Sequence, residues 1–348
     1  MSHDEPIEPI DALRRIAFLL ERSRAGTYRV KAFRQAADTV VGTAREVLEQ
    51  RADNGTLHDL PGIGKSTEAV IREALAGDRP AYLTSLEEKS PVRLIEGGEQ
   101  YRDALRGDCH SHSDWSDGGS PIPEMVATAM ELGHEYQVLT DHSPSLRVAN
   151  GLSAERLSKQ LALIDRINER TGDFTLLKGI EVDILDDGTL DQTDAMLDRL
   201  DVRVASVHSK LKMAKSAMTK RMIGAVRNPR TNILGHCTGR MVDGERRGKA
   251  LRRDQSSFDA EAVFAECAAH DVAVEINSRP ERQDPPDDLI VLALDAGCLF
   301  SIDSDAHAPG QLDFVEYGCE RAQRLEIPLE RIVNTWPKQQ LIDWAAGS

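Results

Sequence analysis

The strongest constraint in this sequence is a pattern that repeats from about residue 106 onward. Short apolar runs alternate with segments of helical periodicity, and histidines stand where the apolar runs end. Seven such units predict an α/β fold with a parallel sheet that is closed or nearly closed, in the manner of a TIM barrel. The predicted strands cover residues 107–110, 136–140, 174–182, 202–207, 232–235, 272–276 and 298–302.

Ligand-type residues mark the carboxyl ends of these strands, which converge on one rim of a β/α barrel. His110-Ser-His112 and Asp305-Ala-His307 are pairs two residues apart, so each pair can face one region. A lone histidine at a strand end is most often structural, but six of them with carboxylates favour a metal centre. Imidazoles and carboxylates without thiolates suit Zn²⁺, Mn²⁺ or Fe²⁺. The six are His110, His112, His142, His208, His236 and His307, and Glu181, Asp305 and Asp141 fall at equivalent places.

Composition limits the classes of function. The 348 residues carry a formal net charge of −15, which excludes a general nucleic-acid coat and requires any nucleic-acid contact to be local. Aromatic residues make up 4%, too few for a platform that stacks single-stranded bases. The cysteines form no CxxC pair, and the apolar stretch at 16–20 is far shorter than a membrane span of roughly 20 residues. We therefore expect a cytoplasmic protein with free thiols and no membrane contact.

Residues 7–79 show helical periodicity and include two features typical of phosphate contact. One is a basic cluster that contains Arg29, Lys31 and Arg34. The other is the run Leu60-Pro61-Gly62-Ile63-Gly64-Lys65, which precedes a helix expected to begin near residue 66. Glycines let a backbone turn tightly, and the free N–H groups of the next helix can bind a phosphate. On its own, a GxG before a helix is usually only a turn.

Six motifs in the predicted barrel resemble, in order, those of the polymerase-and-histidinol-phosphatase (PHP) superfamily. The resemblance covers residues 106 to about 340. It implies a distorted (β/α)7 TIM-like barrel with a trinuclear metal site that hydrolyses phosphate esters. The motifs are Asp108-Cys109-His110-Ser111-His112, Thr140-Asp141-His142-Ser143, Gly179-Ile180-Glu181-Val182-Asp183, Ser206-Val207-His208-Ser209, Gly235-His236 and Asp303-Ser304-Asp305-Ala306-His307.

The same resemblance implies how three divalent ions would be held, with zinc or manganese, or alternatively iron, as the metal. Family members vary between Asp and His at the position of Asp117. Asp305, Glu181 and His208 are the candidate catalytic residues. The first ion would be held by His110, His112, Glu181 and Asp305, the second by Glu181, His208 and His236, and the third by Asp117, His142 and His307.

In its helical context the glycine run resembles a helix-hairpin-helix motif, which contacts the DNA backbone without reading sequence. Residues 7–79 as a whole resemble the N-terminal helical domain of bacterial family X DNA polymerases that also carry a PHP domain. This implies duplex DNA as the partner and no obligate protein partner. The candidate DNA contacts are Gly62, Gly64, Lys65, Arg29, Lys31 and Arg34.

The domain organisation departs from those polymerases. They have a palm domain between the helical domain and the barrel, whereas only about 25 residues are available here. We therefore expect no polymerase activity. The predicted organisation is a small all-α domain at 1–80, a linker at 81–105 with at most one short helix, and the barrel at 106–348.

A basic segment lies within this acidic chain. Residues 209–253 contain 13 Lys or Arg and two acidic residues. Such a segment either attracts a polyanion toward the metals or forms solvated helix faces and a loop. Four basic residues near predicted ligands are candidate phosphate contacts, because guanidinium groups bind phosphate oxygens bidentately. They are Lys210, Arg240, Arg279 and Arg282.

Three functions are compatible with this sequence. The leading one is a metal-dependent phosphoesterase that acts on DNA ends, as a 3′–5′ exonuclease or a 3′-phosphatase in DNA repair. The second is a small-molecule phosphatase of the histidinol-phosphatase type, which leaves the helix-hairpin-helix region without a role. The third is a non-catalytic DNA-binding adaptor, which the complete set of ligand residues disfavours.

Overall fold

The computed structural model describes residues 5–246 and 249–347, without the side chains of 244–246 and 249–251. The chain divides into two compact units. The first comprises the residues up to Arg93 together with Ala308–Gln311, and the second comprises Leu94–His307 together with the residues from Leu312 onward. No helix in the described ranges is both long and apolar enough to cross a lipid bilayer.

The first unit is helical and is built around its first helix. Leu13, Ile16 and Leu20 are apolar residues at a spacing of three or four and are fully buried, and Pro9 occupies the first turn, where no N–H is needed. The helices are α1 (Pro9–Arg22), α2 (Thr27–Val41), α3 (Arg45–Asp53), α4 (Lys65–Leu75) and α5 (Ala81–Lys89).

The segment 81–105, expected as a linker, holds two helices. Leu83 of α5 is fully buried in the core of the first unit. The second helix, α6 (Glu99–Ala104), lies in the second unit, where the hydroxyl of Tyr101 donates a hydrogen bond to the Ile327 carbonyl at 2.8 Å. The expected linker is therefore shared between the two units, because each helix buries an apolar side chain.

The second unit is a parallel β/α barrel, as expected. Seven strands form one sheet in the order β1-β2-β3-β4-β5-β8-β9, and all neighbours are parallel. An isolated parallel bridge joins Ser111 to Ala306, so the sheet is nearly closed. The strands are β1 (Gly107–Ser111), β2 (Tyr136–Leu139), β3 (Thr175–Asp183), β4 (Val202–Ser206), β5 (Ile233–Leu234), β6 (Met241–Arg246), β7 (Lys249–Arg253), β8 (Ala273–Asn277) and β9 (Phe300–Asp303).

Helices follow most of the strands. The helices of this unit after α6 are α7 (Ile122–Glu131), α8 (Ala154–Asn168), α9 (Asp194–Leu197), α10 (Lys215–Val226), α11 (Ala260–Ala269), α12 (Asp287–Asp295), α13 (Val315–Arg324) and α14 (Lys338–Ala345). The pattern of apolar residues did not indicate α13 or α14. It also did not indicate the antiparallel hairpin β6–β7, whose sequence lacks apolar alternation.

Candidate metal centre

The nine residues predicted as metal ligands gather at one end of the barrel. His110 belongs to β1 and Glu181 to β3, close to the carboxyl ends of these strands, and His208 follows β4. The remaining six lie in the segments that follow β1, β2, β5 and β9. Parallel strands with right-handed connections bring these ends to one rim, so separation in sequence does not prevent contact.

The carboxylate of Glu181 lies at the centre of this group. Five imidazoles have a ring nitrogen within 3.5 Å of one of its oxygens, and Glu181 itself is 1% exposed. A carboxylate in this position can bridge two ions. From Oε1 the distances are 2.8 Å to His236 Nε2 and 3.1 Å to His208 Nε2, and from Oε2 they are 2.9 Å to His142 Nδ1, 3.3 Å to His110 Nε2 and 3.5 Å to His112 Nε2.

Among the described residues, three groups have ligand atoms close enough to share an ion, all within 4.8 Å of one another. They resemble the three expected sets with four differences. His112 joins the third set as well as the first, and His142 joins the second as well as the third. Glu181 is not in the first group, and His236 is in none of the three. The groups are His110, His112 and Asp305, then His142, Glu181 and His208, and finally His112, Asp117, His142 and His307.

The hydrogen bonding of these side chains fits bound cations. Glu181 Oε2, His142 Nδ1 and His208 Nε2 are buried and have no hydrogen-bond partner, although each lies near another polar atom. Buried polar atoms without partners are rare in folded proteins. The ligand atoms of each of the three groups lie within 4.8 Å of one another, close enough to share an ion.

Two members of the group, Glu181 and His112, have the charge states that this interpretation requires. Burial raises the pKa of Glu181, but the imidazoles of His208 and His110 outweigh burial and hold that pKa well below its usual range. Burial and the neighbouring imidazoles lower the pKa of His112 to about 3. Glu181 is therefore ionised and His112 neutral at neutral pH, the two states in which these side chains bind metals.

A second layer of acidic and amide side chains orients the ligands. Glu275, which is fully buried, places Oε1 2.5 Å from His110 Nδ1 and accepts from the backbone N–H of His236 at 2.5 Å. Because a carboxylate only accepts, His110 donates from Nδ1 and keeps the Nε2 lone pair for a metal. The sequence analysis did not select Glu275. The sequence feature that could have revealed Glu275 is its charge inside the apolar run 272–276.

Asp183 and Asn277 also hold ligands. The Asp183 carboxylate accepts from His208 Nδ1. Asn277 Nδ2 donates to Asp305 Oδ2 at 3.0 Å, and Asp305 has a positive φ of 50°, which residues other than glycine adopt infrequently. The amide therefore fixes the orientation of a ligand whose backbone is in the left-handed region.

Of the four candidate phosphate contacts, the structure places Arg282 at the metal centre. Arg282 lines a cavity of about 250 Å³ together with Glu181 and His208, and its Nε lies 3.2 Å from Asp305 Oδ2. Arg253, which the sequence analysis did not select as a contact, lines the same cavity and donates to the Gly239 carbonyl at 2.5 Å.

The other three candidates have partners elsewhere. Arg240 donates from Nε to the Gln283 carbonyl at 2.8 Å, and Lys210 forms an ion pair with Asp186 on the surface. Arg279 is held by Glu281 and by the Asp305 carbonyl, at 2.8 Å from its Nη1, so it supports the loop that carries the ligands. None of these three side chains lines the cavity.

Much of the basic segment is used within the fold. Arg221 is fully buried and donates to the carbonyls of Ile184 and Ser209. Arg227 pairs with Glu266, and Arg230 with Asp198. The surface field inferred from this segment is therefore smaller than its sequence suggests. Arg247 lies outside the described residues, as do the side chains of Arg246 and Lys249.

The candidate DNA contacts in the helical unit divide into two kinds. Arg29, Lys31 and Lys65 are exposed, and so are the glycines of the hairpin, where Gly62 has a φ of 76° and Gly64 caps α4. Arg34 is buried and forms a bidentate pair with Glu21, with distances of 2.9 and 2.7 Å. Its guanidinium group therefore stabilises the helical core and does not face solvent.

Comparison with known proteins agrees with this geometry. Residues 7–80 match the family described as a helix-hairpin-helix domain, and residues 108–279 match the family described as a PHP domain. The chain therefore combines a helix-hairpin-helix domain with a PHP domain. The PHP domain places it among the metal-dependent phosphoesterases, and the helix-hairpin-helix domain precedes it in the chain.

The chain matches curated relatives over different shares of their length, and it spans about two fifths of the first of them. The PHP-domain chain is 36% identical over 243 residues to the DNA polymerase/3′-5′ exonuclease PolX of Bacillus subtilis (strain 168), a match that covers 70% of this chain and 40% of that protein. It is 28% identical over 246 residues to a probable phosphatase of Serratia proteamaculans (strain 568), covering 67% of this chain and 91% of that protein. The crystal structure of a histidinol phosphate phosphatase from Lactococcus lactis with zinc, L-histidinol and phosphate is 16% identical, with a TM-score of 0.45, and covers 64% of this chain and 92% of that one.

Proposed function

We propose that this chain is a metal-dependent phosphoesterase that acts on DNA ends, as a 3′–5′ exonuclease or a 3′-phosphatase in DNA repair. The observation that carries the proposal is the Glu181 centre. A buried carboxylate surrounded by five imidazoles shares a cavity with two arginines, in a chain that also has a helix-hairpin-helix domain.

The residues proposed to hold three divalent ions are the nine that meet at the barrel rim, and the proposed metal is zinc or manganese, or alternatively iron. The proposed catalytic group comprises Glu181, His208 and Asp305. When bound, divalent ions supply an activated water and stabilise charge on phosphoryl oxygens. The chain itself contributes orientation, since Asp183 holds His208, Glu275 holds His110 and Asn277 holds Asp305.

Arg282 and Arg253 supply positive charge at the cavity wall. Preorganised guanidinium groups in a water-poor cavity stabilise charge that develops on phosphoryl oxygens. The proposed DNA contacts are the exposed groups of the helical unit, namely Arg29, Lys31 and Lys65 with the hairpin glycines. Similarity to a 3′-5′ exonuclease at 36% identity supports DNA as the substrate class.

A second candidate is a small-molecule phosphatase. It is favoured by the match to a probable phosphatase over 91% of that protein's length. This candidate assigns no role to the helix-hairpin-helix domain, and it predicts turnover of free phosphate esters without cleavage of DNA.

The test combines elemental analysis of the purified protein with a panel of end-labelled DNA, RNA and free phosphate esters. We expect bound divalent ions and hydrolysis at DNA 3′ ends. The variant His208→Ala should lose hydrolysis and keep duplex binding, whereas His270→Ala, which alters a surface histidine that pairs with Glu266 on α11, should retain both. Turnover of free esters with no cleavage of any DNA end would favour the second candidate, and unchanged turnover in His208→Ala would refute the assigned centre.

A further inference from the structure

The lining of the metal cavity combines two kinds of side chain. The guanidinium groups of Arg253 and Arg282 belong to it. Aliphatic side chains line the same cavity, and no Phe, Tyr or Trp is among the described residues that line it. These aliphatic residues are Leu146, Val148, Ala149, Val207, Leu211 and Met241.

Val148 is the most unusual member of this lining. It is 93% exposed, although it belongs to the wall of a cavity that otherwise contains charged and polar ligands. Its neighbour Ala149 is buried, so the short 3-10 turn Arg147–Ala149 is anchored on one side and presents the valine outward. Single exposed apolar residues are ordinary on protein surfaces, but one beside a metal centre offers apolar area to whatever enters.

The loop that carries Val148 is held in place by hydrogen bonds. Asp191 accepts from the backbone N–H and the hydroxyl of Ser145, both at 2.6 Å, and from the Ser143 hydroxyl at 2.8 Å. On the far side of the turn, Arg156 Nη1 donates to the Asn150 carbonyl at 2.6 Å. The position of Val148 therefore follows from a hydrogen-bonded loop, and the side chain is preorganised for contact.

The two arginines that line the cavity can bind an anion. Arg253 and Arg282 both line this cavity, so two positively charged groups face the same space. Two like charges repel, and an anion between them would remove that repulsion. Charge-assisted hydrogen bonds from arginine to phosphate oxygens are among the strong polar interactions in proteins.

We infer that this cavity recognises the terminal nucleotide of a strand through two contacts, one to its phosphate and one to its sugar and base. Its phosphate is held between Arg253 and Arg282, and its sugar and base lie against the aliphatic wall formed by Leu146 and Val148. A phosphate ester with an apolar face is the ligand that complements both the two arginines and the aliphatic side chains. The cavity of about 250 Å³ is small for a ligand site, so one nucleotide enters and the duplex remains outside.

This inference rests on the proposed function, and the experiment separates the two. Two oligonucleotides are compared that differ only at the 3′ residue, which is thymidine in one and a tetrahydrofuran abasic residue in the other. Wild-type protein should cleave the thymidine-ended strand with a kcat/KM about tenfold higher, mainly through KM, because burial of one aliphatic side chain corresponds to about that factor. Val148→Ser should reduce the preference to less than about twofold.

Two controls complete the experiment. Val92→Ser changes a valine that is also 93% exposed but does not line the cavity, and it should leave the preference intact. Arg253→Met should lower kcat/KM on both strands by the same factor, tenfold or more, since the phosphate is common to both.

The outcomes distinguish the two levels of the proposal. Equal cleavage of the two strands by wild-type protein, or an undiminished preference in Val148→Ser, would overturn the aliphatic platform and leave the DNA-end activity standing. Cleavage of neither strand by wild-type protein would overturn the DNA-end activity and the inference with it.

Discussion

Replacement of Glu275 by glutamine tests whether the second layer controls metal binding. The two oxygens of this carboxylate face two separate donors, His110 Nδ1 at 2.5 Å and the backbone N–H of His236 at 2.5 Å. Asn277 Nδ2 is a third donor, 3.2 Å from Oε2. A carboxylate accepts at both oxygens, whereas an amide has one accepting oxygen and one donating nitrogen.

Either orientation of the amide in Glu275→Gln disturbs one ligand. If its NH₂ group faces His110, Nδ1 must accept, the proton moves to Nε2 and the lone pair for a metal is lost. If its NH₂ group faces His236, two N–H groups oppose each other and the backbone that positions this ligand shifts. A buried donor without an acceptor costs about 1–3 kcal/mol. Loss of a supporting contact to a metal-bound histidine typically lowers metal affinity 10–100-fold.

Equilibrium dialysis against Zn²⁺ and Mn²⁺, with thermal unfolding of metal-free protein, measures both effects. We expect metal affinity to fall 10–100-fold and the free energy of unfolding to fall by about 1–3 kcal/mol. The matched control is Glu266→Gln, which removes a charge on α11 that pairs with Arg227 at the surface. It should leave metal affinity unchanged. Wild-type metal affinity in Glu275→Gln would refute the orienting role.

Two further predictions concern charge outside the metal centre. Arg29→Glu and Lys31→Glu alter exposed side chains and should weaken duplex binding, measured by fluorescence anisotropy, with a shallower salt dependence and little change in stability. Arg34→Met should cost about 3–5 kcal/mol of stability, because the buried Glu21 would keep the Gly310 N–H but lose its positively charged partner. The reverse pattern would show that Arg34 is the DNA contact. Burial lowers the pKa of His134 to about 4, below its usual 6.5, so the folded state keeps this imidazole neutral while the unfolded state takes up a proton as pH falls from 6.5 to 4. The contribution of this residue to the free energy of unfolding is complete above pH 6.5 and decreases toward pH 4, by about 3 kcal/mol in total. In His134→Gln, the free energy of unfolding should decrease less steeply over this pH range, by about 1.4 kcal/mol less per pH unit. Parallel curves for the two proteins would contradict the assignment.

The ligand positions could be predicted from sequence because topology determines them. The parallel strands of a barrel all end at one rim, and a pair such as Asp305 and His307 is placed there by its position after β9. Glu275 lies before the end of β8 and has no ligand-like spacing, so only the three-dimensional structure shows that it supports ligands from β1 and from the end of β5. The hairpin β6–β7 was missed for a related reason, since it forms by local pairing of strands that do not alternate in hydropathy.

Arginine side chains are predicted less well because several acceptors compete for each guanidinium group. Arg34 has a carboxylate within reach in Glu21, and Arg240 has the carbonyl of Gln283, and neither partner is close in sequence to suggest the pair. The arginines that line the cavity, Arg253 and Arg282, are each held through Nε, by Gly239 and by Asp305. An arginine anchored in this way has its position fixed and its terminal nitrogens directed past the anchor. The number of basic residues in a segment therefore overstates its positive electrostatic field, and the arginines proposed to act on a phosphate are the two that line the cavity.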